Sequence, residues 1–403
     1  MRTRGAWLSP ERRGADRVVE RPPALPDAAR APLPRVFFAT QDRSGPLIWR
    51  CLWPAAALVR QGYYVAHGRL QNPRSAQNAV GTDAIVFNRM SWLGTELPQG
   101  EAFIAEQHRQ GRVLLFEMDD DLISIDCREQ LHLLGAQEGL SPGEVDDAIL
   151  RRLESIHRLD GVTVTTEHLA GVVRGLTDTP VAVVPNAIDW AWFQDVSLGA
   201  PRQDRRLTIG WAGGRRLEAD TAPLAEAWRR VARRYPHVAF KVAGYQAPDL
   251  LAAVPEAQRI AARWEPLDRY ARAYAGIDIG CCPLADTPFN RCKTPVKAYE
   301  YAAMDAAVVA SPTVYAAALG PDKFGLLADT ADAWEDALCR LIEDQALRFT
   351  LAARWAKRVR ERHSLPGQAG AWPRAWANLI GAARARLGLR RGPPLVAHGM
   401  YRG

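Results

Sequence analysis

Three groups of residues have the types and spacing to do chemistry. The first is Arg291, Lys293 and Lys297, around a helix start. Thr294-Pro295 reads as that start, with threonine as N-cap and proline at the first helical position, and the helix runs from Pro295 to about Met304. Lysine in a first turn opposes the positive end of the helix dipole, so a phosphate or diphosphate is its natural compensation. Glu300 lies three residues beyond Lys297, where a carboxylate could accept hydrogen bonds from a ribose or sugar hydroxyl. A solvated basic helix start with an ordinary Lys–Glu pair is the plainer alternative. The second group is Gly213-Gly214-Arg215-Arg216, at the end of a predicted strand. Its glycines let a phosphate or another backbone come close, and an arginine fork suits a diphosphate. The third is Asp119-Asp120-Asp121, just after Glu117. Adjacent carboxylates repel, so water, a cation, a helix N-terminus or substrate hydroxyls must compensate them. An acidic helix-capping loop is the alternative there.

These groups must be held by alternating elements. Strands are read at RVFFAT, YYVAH, AIVFN, VLLFEM, GVTVTT and VAVVP in the first half. LTIGWAG, VAFKVAG, Ile277–Cys282, Ala306–Ala310 and GLLAD follow in the second. Helical stretches separate them, including PLIWRCLWPAAALVRQ with its internal Pro54, 142–158, 219–234 and about 369–387. Strands alternating with helices imply parallel, doubly wound sheets that bind ligands past the C-terminal strand ends. The first such loop, Gln41 to Pro46, holds Ser44 and Gly45, with Arg50 on the following helix. The turn Pro185-Asn186-Ala187-Ile188-Asp189 and the polar run 197–206 place a hinge near 190–205.

The 403 residues suffice for two domains, and 48% hydrophobic with 24% charged residues is a globular composition. The net charge of +7 fits an anionic ligand, nucleic acid or a lipid surface without choosing among them. Residues 1–34 read as a disordered basic arm. No signal peptide or membrane-spanning run is read, and six cysteines without CxxC spacing fit reduced cytosolic thiols.

The block PLADTPFNRCKTPVKAYEY and the register of Glu300 to Ser311 carry a resemblance. They resemble the donor-binding segment of GT-B glycosyltransferases, in the family-four-like retaining group (glycosyl transferases group 1). That group's helix reads Glu-Ala-x-Ala-x-Gly-x-Pro-Val-Val. Asn290 and Lys293 match the Asn-x-x-Lys element of a bacterial subgroup, and a looser similarity covers residues 35–365. The resemblance implies an α/β GT-B fold, with two facing Rossmann-like doubly wound parallel-sheet domains and a cleft between them. Its parts are the arm at 1–34, an acceptor-side domain at 35–195, a nucleotide-sugar domain at 196–365, and a cross-over helix and tail at 366–403.

The implied reaction moves a sugar, with retention, from a nucleoside-diphosphate sugar to a hydroxyl of a glycan or lipid-linked acceptor in cell-surface polysaccharide or glycolipid assembly. Arg215, Arg216 and Lys293 would stabilise the leaving diphosphate. Gly213, Gly214, Asn290 and Lys297 would bind the donor, Glu300 its ribose, and Ser44 and Gly45 would face it across the cleft. Asp119 and Asp120 are the acceptor-side candidates. Metal-dependent GT-A enzymes also use an Asp-x-Asp pattern. A metal-free, cofactor-free reaction is expected here, because the nucleotide signature lies far downstream in a separate second half. The partners expected are the donor and acceptor, with peripheral contact at the inner membrane face left open and no nucleic acid; the location expected is cytoplasmic. This chain departs from the family at Cys292, where a first glutamate is usual, at Asp305-Ala306-Ala307, and at Leu217. A non-catalytic nucleotide- or glycan-binding protein of a polysaccharide-assembly complex is the competing expectation.

Overall fold

The computed structural model describes residues 33–40, 45–70, 72, 76–89, 97–197, 206–214, 216–244, 247–263, 265, 267–320 and 323–389. All but the last two residues of the expected basic arm lie outside them, as do Ser44 and Arg215. The first half forms strands β1 (Val36–Thr40), β2 (Val65–Gly68), β3 (Ala84–Asn88), β4 (Val113–Met118), β5 (Gly161–Val164) and β6 (Val181–Val183). The second forms β7 (Thr208–Gly213), β8 (Ala239–Gly244), β9 (Arg259–Ala262), β10 (Ile279–Cys282), β11 (Ala307–Ala310) and β12 (Leu326–Leu327). Strands such as VFFAT and VLLFEM are apolar almost throughout because helices cover both faces of a parallel sheet.

The first sheet runs β2-β1-β3-β4-β5-β6 and the second β12-β11-β10-β7-β8-β9, all pairs parallel. Strand order reverses at β1/β3 and at β7/β10, so a crevice opens past the C-terminal strand ends at each of those points. Asn88 and Arg89 end β3, and Gly213-Gly214 end β7. The expected pair of doubly wound sheets is therefore present.

The helix Ala371–Leu387 returns to the first sheet. Trp372 and Trp376 pack on Phe38 with ring centroids 5.4 and 6.0 Å away. Arg384 and Arg386 donate to Asp83 and Asp160, at 2.8 and 2.9 Å. Both aspartates are buried and also accept backbone N–H groups, from Arg35 and Leu114. Each thus ties the returning helix to strand backbone.

Some local readings change. The helix containing Pro54 is π-helical over Leu47–Leu52 and becomes α-helical at Trp53–Arg60, because proline has no N–H for the ordinary α register. The segment read as hinge contains a helix, Trp190–Ser197. β9 is an exposed edge strand with no alternating pattern, so nothing in RIAA announced it. Among the described residues no helix is long and apolar enough to cross a membrane.

Gly280 explains its own presence inside β10. A Cβ there would overlap the ring of Tyr301, which crosses the strand to accept from Ala212 N at 3.0 Å and donate to Gly210 O at 3.2 Å. Gly280→Ala is expected to destabilise the fold by about 1–3 kcal/mol through overpacking, read by urea denaturation.

Candidate functional site

The loop after β10 builds one wall of the site. Its short helix Pro288–Arg291 is capped by Thr287, whose oxygen accepts from Asn290 N at 3.2 Å. Phe289 and Cys292 insert into the apolar cluster of the first sheet, alongside Met118, Ile123 and Cys127. Polar contacts then fasten the loop to the first half. Thr287 donates to Gln130 at 2.7 Å, Thr166 donates to the Cys292 carbonyl at 3.4 Å, and Asn186 donates to Thr294 at 2.8 Å. That last bond corrects the expected N-cap. Pro295 occupies the cap position without a side-chain bond and the helix is Val296–Ala303, because the Thr294 oxygen is turned to Asn186.

Opposite this loop, β4 ends in the acidic run, and each carboxylate has its own compensation. Glu117 is fully buried and accepts from Arg50 at 2.6 Å and Asn88 at 2.5 Å. Asp121 accepts from the backbone of Ile123 and Ser124 and from the Cys127 thiol, which makes it a turn residue. Asp119 and Asp120 face the loop from β10. Arg89 pairs with Asp119 at 3.1 Å and with Asp120 at 3.0 Å, while the Lys293 ammonium donates to Asp120 at 2.9 Å. Arg89 holds φ at 55°, a left-handed conformation rare for a side chain of its size, and its N–H donates to the Glu117 carbonyl. Strain of this kind collects at functional sites.

The environment pushes the two aspartates apart. Burial raises Asp119 to about 7; Arg89 opposes the rise, and the charges of Asp120 and Glu117 add to it. Burial would raise Asp120 as well, but Lys293 and Arg89 together outweigh it and hold that carboxyl at about 2. Burial thus favours the protonated form of Asp119, while Lys293 and Arg89 favour the charged form of Asp120.

Beside Lys293 lies a cavity of about 860 Å³. Thr166 and His168 of the first half line it, with Asp220, Arg291 and Ser311 of the second. Arg291 is exposed there and paired to Asp286 through two bonds of 2.7 and 2.8 Å. Asn290 lies beneath the cavity, fully buried, and its amide nitrogen donates to Asp220 at 2.7 Å and to the Ala285 carbonyl at 3.0 Å. A Cβ on Gly214 would meet nothing within 4 Å, so the backbone there is open to close approach, whereas one on Gly213 would press on Trp211. Arg216 adds positive charge near Asp120, and its carbonyl accepts from Gln137. Gly45 stands at the start of the first helical segment with open space around it.

Glu300 and Lys297 form a different constellation. Glu300 has no solvent exposure, and its oxygens accept from Tyr270 at 2.9 Å, from Tyr274, and from Lys297 at 3.0 Å. Lys297 also donates to both tyrosine hydroxyls, at 2.7 and 2.8 Å. A ribose hydroxyl would have to displace a tyrosine or Lys297 to bond Glu300. Lys297, at 15% side-chain exposure, is the group of this cluster nearest to solvent. Sequence reading missed Arg89 and these tyrosines. The place of Arg89 at the end of a switch-point strand was a usable signal, and so was the i,i+4 spacing of Tyr270 and Tyr274.

Residues 206–344 match the family model for glycosyl transferases group 1. That span is the second sheet with most of its helices. No curated protein matches the chain by sequence. Among solved structures, sucrose-phosphate synthase from Thermosynechococcus elongatus aligns with a TM-score of 0.59 at 15% identity, covering 86% of this chain and all of the other. Anabaena HepE in complex with UDP and glucose aligns at 0.58 and 15%, covering 83% and 97%. S. aureus TarM, in a complex containing fondaparinux, α-GlcNAc-glycerol and UDP, aligns at 0.53 and 12%, covering 75% of this chain; the chain spans 57% of TarM's length. The shared feature at these identities is the fold, and the fold is GT-B. Lys293 belongs to the second sheet's half of the chain and the aspartate pair to the first.

Proposed function

We propose that this chain is a glycosyltransferase that moves a sugar from a nucleoside-diphosphate sugar to a hydroxyl of a glycan or lipid-linked acceptor, with retention and without a metal. The observation that carries the reading is the meeting of Lys293, on the loop after β10, with the Asp119–Asp120 pair beside the large cavity. The leaving diphosphate develops negative charge, which Lys293 and Arg216 are disposed to balance; Arg215 is assigned to the same task from its sequence position. Asp119 orients the acceptor hydroxyl, and the departing phosphate helps to take its proton. The family match in the second sheet supports transfer, and UDP in the HepE and TarM complexes makes UDP-sugars the first donors to try. Assembly of a cell-surface polysaccharide or glycolipid, at the cytoplasmic membrane face, is the setting we assign to it.

A thermal-shift panel of UDP-, GDP-, CDP-, dTDP- and ADP-sugars tests donor binding. A ligand at a hundredfold above its dissociation constant adds about 2.7 kcal/mol of stability. One nucleotide should raise the melting temperature of the wild type and not that of Lys293→Ala; equal shifts in both would remove Lys293 from the donor site. Chelator should leave turnover unchanged, and restoration by manganese after its loss would make the reaction metal-dependent.

The acid pair sets the pH dependence. The folded-state pKa of Asp119 is raised from 3.8 to about 7, so the charge that accepts the acceptor's hydrogen bond is present only above that value. We expect kcat/KM to rise through a limb near pH 7, and Asp119→Asn to abolish the limb along with most of the rate. The same shift makes this group's contribution to stability fall as pH rises from about 4 to about 7.

One observation favours the non-catalytic reading. Cys292, where the family has a glutamate, is buried in the apolar cluster of the first sheet. Nucleotide binding without any turnover across the donor panel would select that reading.

A further inference from the structure

We propose that Lys293 exchanges partners when the donor binds: the diphosphate takes the ammonium from Asp120, and Arg89 keeps both aspartates in place. This rests on the glycosyl-transfer reading above. The Lys293 side chain is 15% exposed, lines the cavity, and bonds to Asp120 at 2.9 Å with its ammonium over the Phe289 ring. A lysine ammonium is a point charge on a flexible stem, so it can turn from a carboxylate to a phosphate without moving its backbone. Arg89 is the opposite case. Its guanidinium spans Asp119 and Asp120 with separate nitrogens, and its backbone is pinned in the left-handed region by the bond to Glu117. Asp120 is therefore ion-paired to both Arg89 and Lys293 at rest and keeps the Arg89 pair after the exchange.

The resting ion pair competes with the donor, which has an unusual consequence: removing a carboxylate from the site should tighten binding of an anion. Simple charge removal predicts a similar sign, so the discriminating variable is Lys293. Isothermal titration of UDP, and of pyrophosphate as a base-free probe, would be run on the wild type, Asp120→Asn, Asp120→Glu, Lys293→Ala and the Asp120→Asn/Lys293→Ala double variant. Asp120→Asn should bind about tenfold tighter than wild type, within the range of pairwise couplings between contacting groups. Asp120→Glu, which keeps the charge, should bind like wild type. In the Lys293→Ala background, Asp120→Asn should change affinity little. An equal gain with and without Lys293, or no gain at all, would overturn the exchange while leaving the donor reading standing. Absence of binding of both UDP and the base-free pyrophosphate by every variant would sink the donor reading and the exchange together.

Arg89 is then a positioning residue with its own readout. Asp119 is faced by Arg89, Asp120, Glu117 and Arg50, and Asp120 by Lys293, Arg89 and Arg216. Arg89→Ala removes the cation shared by the pair, so the limb of kcat/KM should move to higher pH, and Arg89→Lys should bring it part of the way back. An unmoved limb in Arg89→Ala would assign Arg89 to packing alone.

Discussion

Replacing Lys293 by alanine should lower sugar transfer by about 10²–10³-fold while the protein stays folded. The magnitude is that of removing one preorganised donor aimed at charge that develops in the transition state. Lys293 qualifies by position: it lines the cavity, in the loop just before the helix Val296–Ala303. Its present ion pair is partly solvated, at 15% and 21% side-chain exposure, and pairs of that kind contribute about 1 kcal/mol or less. Stability and rate thus separate cleanly. A melting temperature near that of the wild type with a hundredfold loss of rate supports a role in transfer. A loss of rate that merely tracks unfolding would make Lys293 a strut between the two halves.

Arg50→Met should be the most damaging single change to stability, costing about 3–5 kcal/mol in urea denaturation. Arg50 and Glu117 both have zero exposure and are 2.6 Å apart. The guanidinium also donates to the Val184 carbonyl and to Asn186, and stacks over Trp372 of the returning helix at 4.9 Å. One side chain thereby joins β4, the chain beyond β6 and the helix Ala371–Leu387. Removing it strands a buried carboxylate, and that penalty exceeds the worth of the pair itself. Adding Glu117→Gln to Arg50→Met should recover part of the loss, since the stranded charge is gone. A cost below 1 kcal/mol for Arg50→Met alone would mean that water replaces the guanidinium. Arg50, on the helix that follows the loop Gln41 to Pro46, is thus a buried brace between strand and returning helix.

The sheets were legible because parallel strands buried on both faces are written as apolar runs, as in VFFAT, AIVFN and VLLFEM. The side chains of the site were legible as types but not as partners. The acidic run was visible, yet its compensation comes from Arg89, Arg50 and Lys293, which lie 31, 67 and 173 positions from the carboxylates they pair with. The family resemblance places Asn290 and Glu300 at the donor, Glu300 also by its spacing from Lys297; Asp220 and the two tyrosines, remote in sequence, are their partners in the folded chain. Thr294 looked like an N-cap because the local rule sees only the helix, and the competing donor, Asn186, arrives from the other half. The left-handed backbones at Arg89 and Asp305 leave no trace in side-chain pattern. At Asp305 the glycine usual in the family had marked the position, and φ of 55° supplies the reason.

The most direct test is release of nucleoside diphosphate from the UDP-, GDP-, CDP-, dTDP- and ADP-sugar panel, measured with wild type, Lys293→Ala and Asp119→Asn at pH 8. The wild type should release diphosphate from one nucleotide's sugars, and each variant should lose at least about a hundredfold in rate. Wild-type rates in both variants, or no release from any donor by the folded wild type, would contradict the glycosyl-transfer reading.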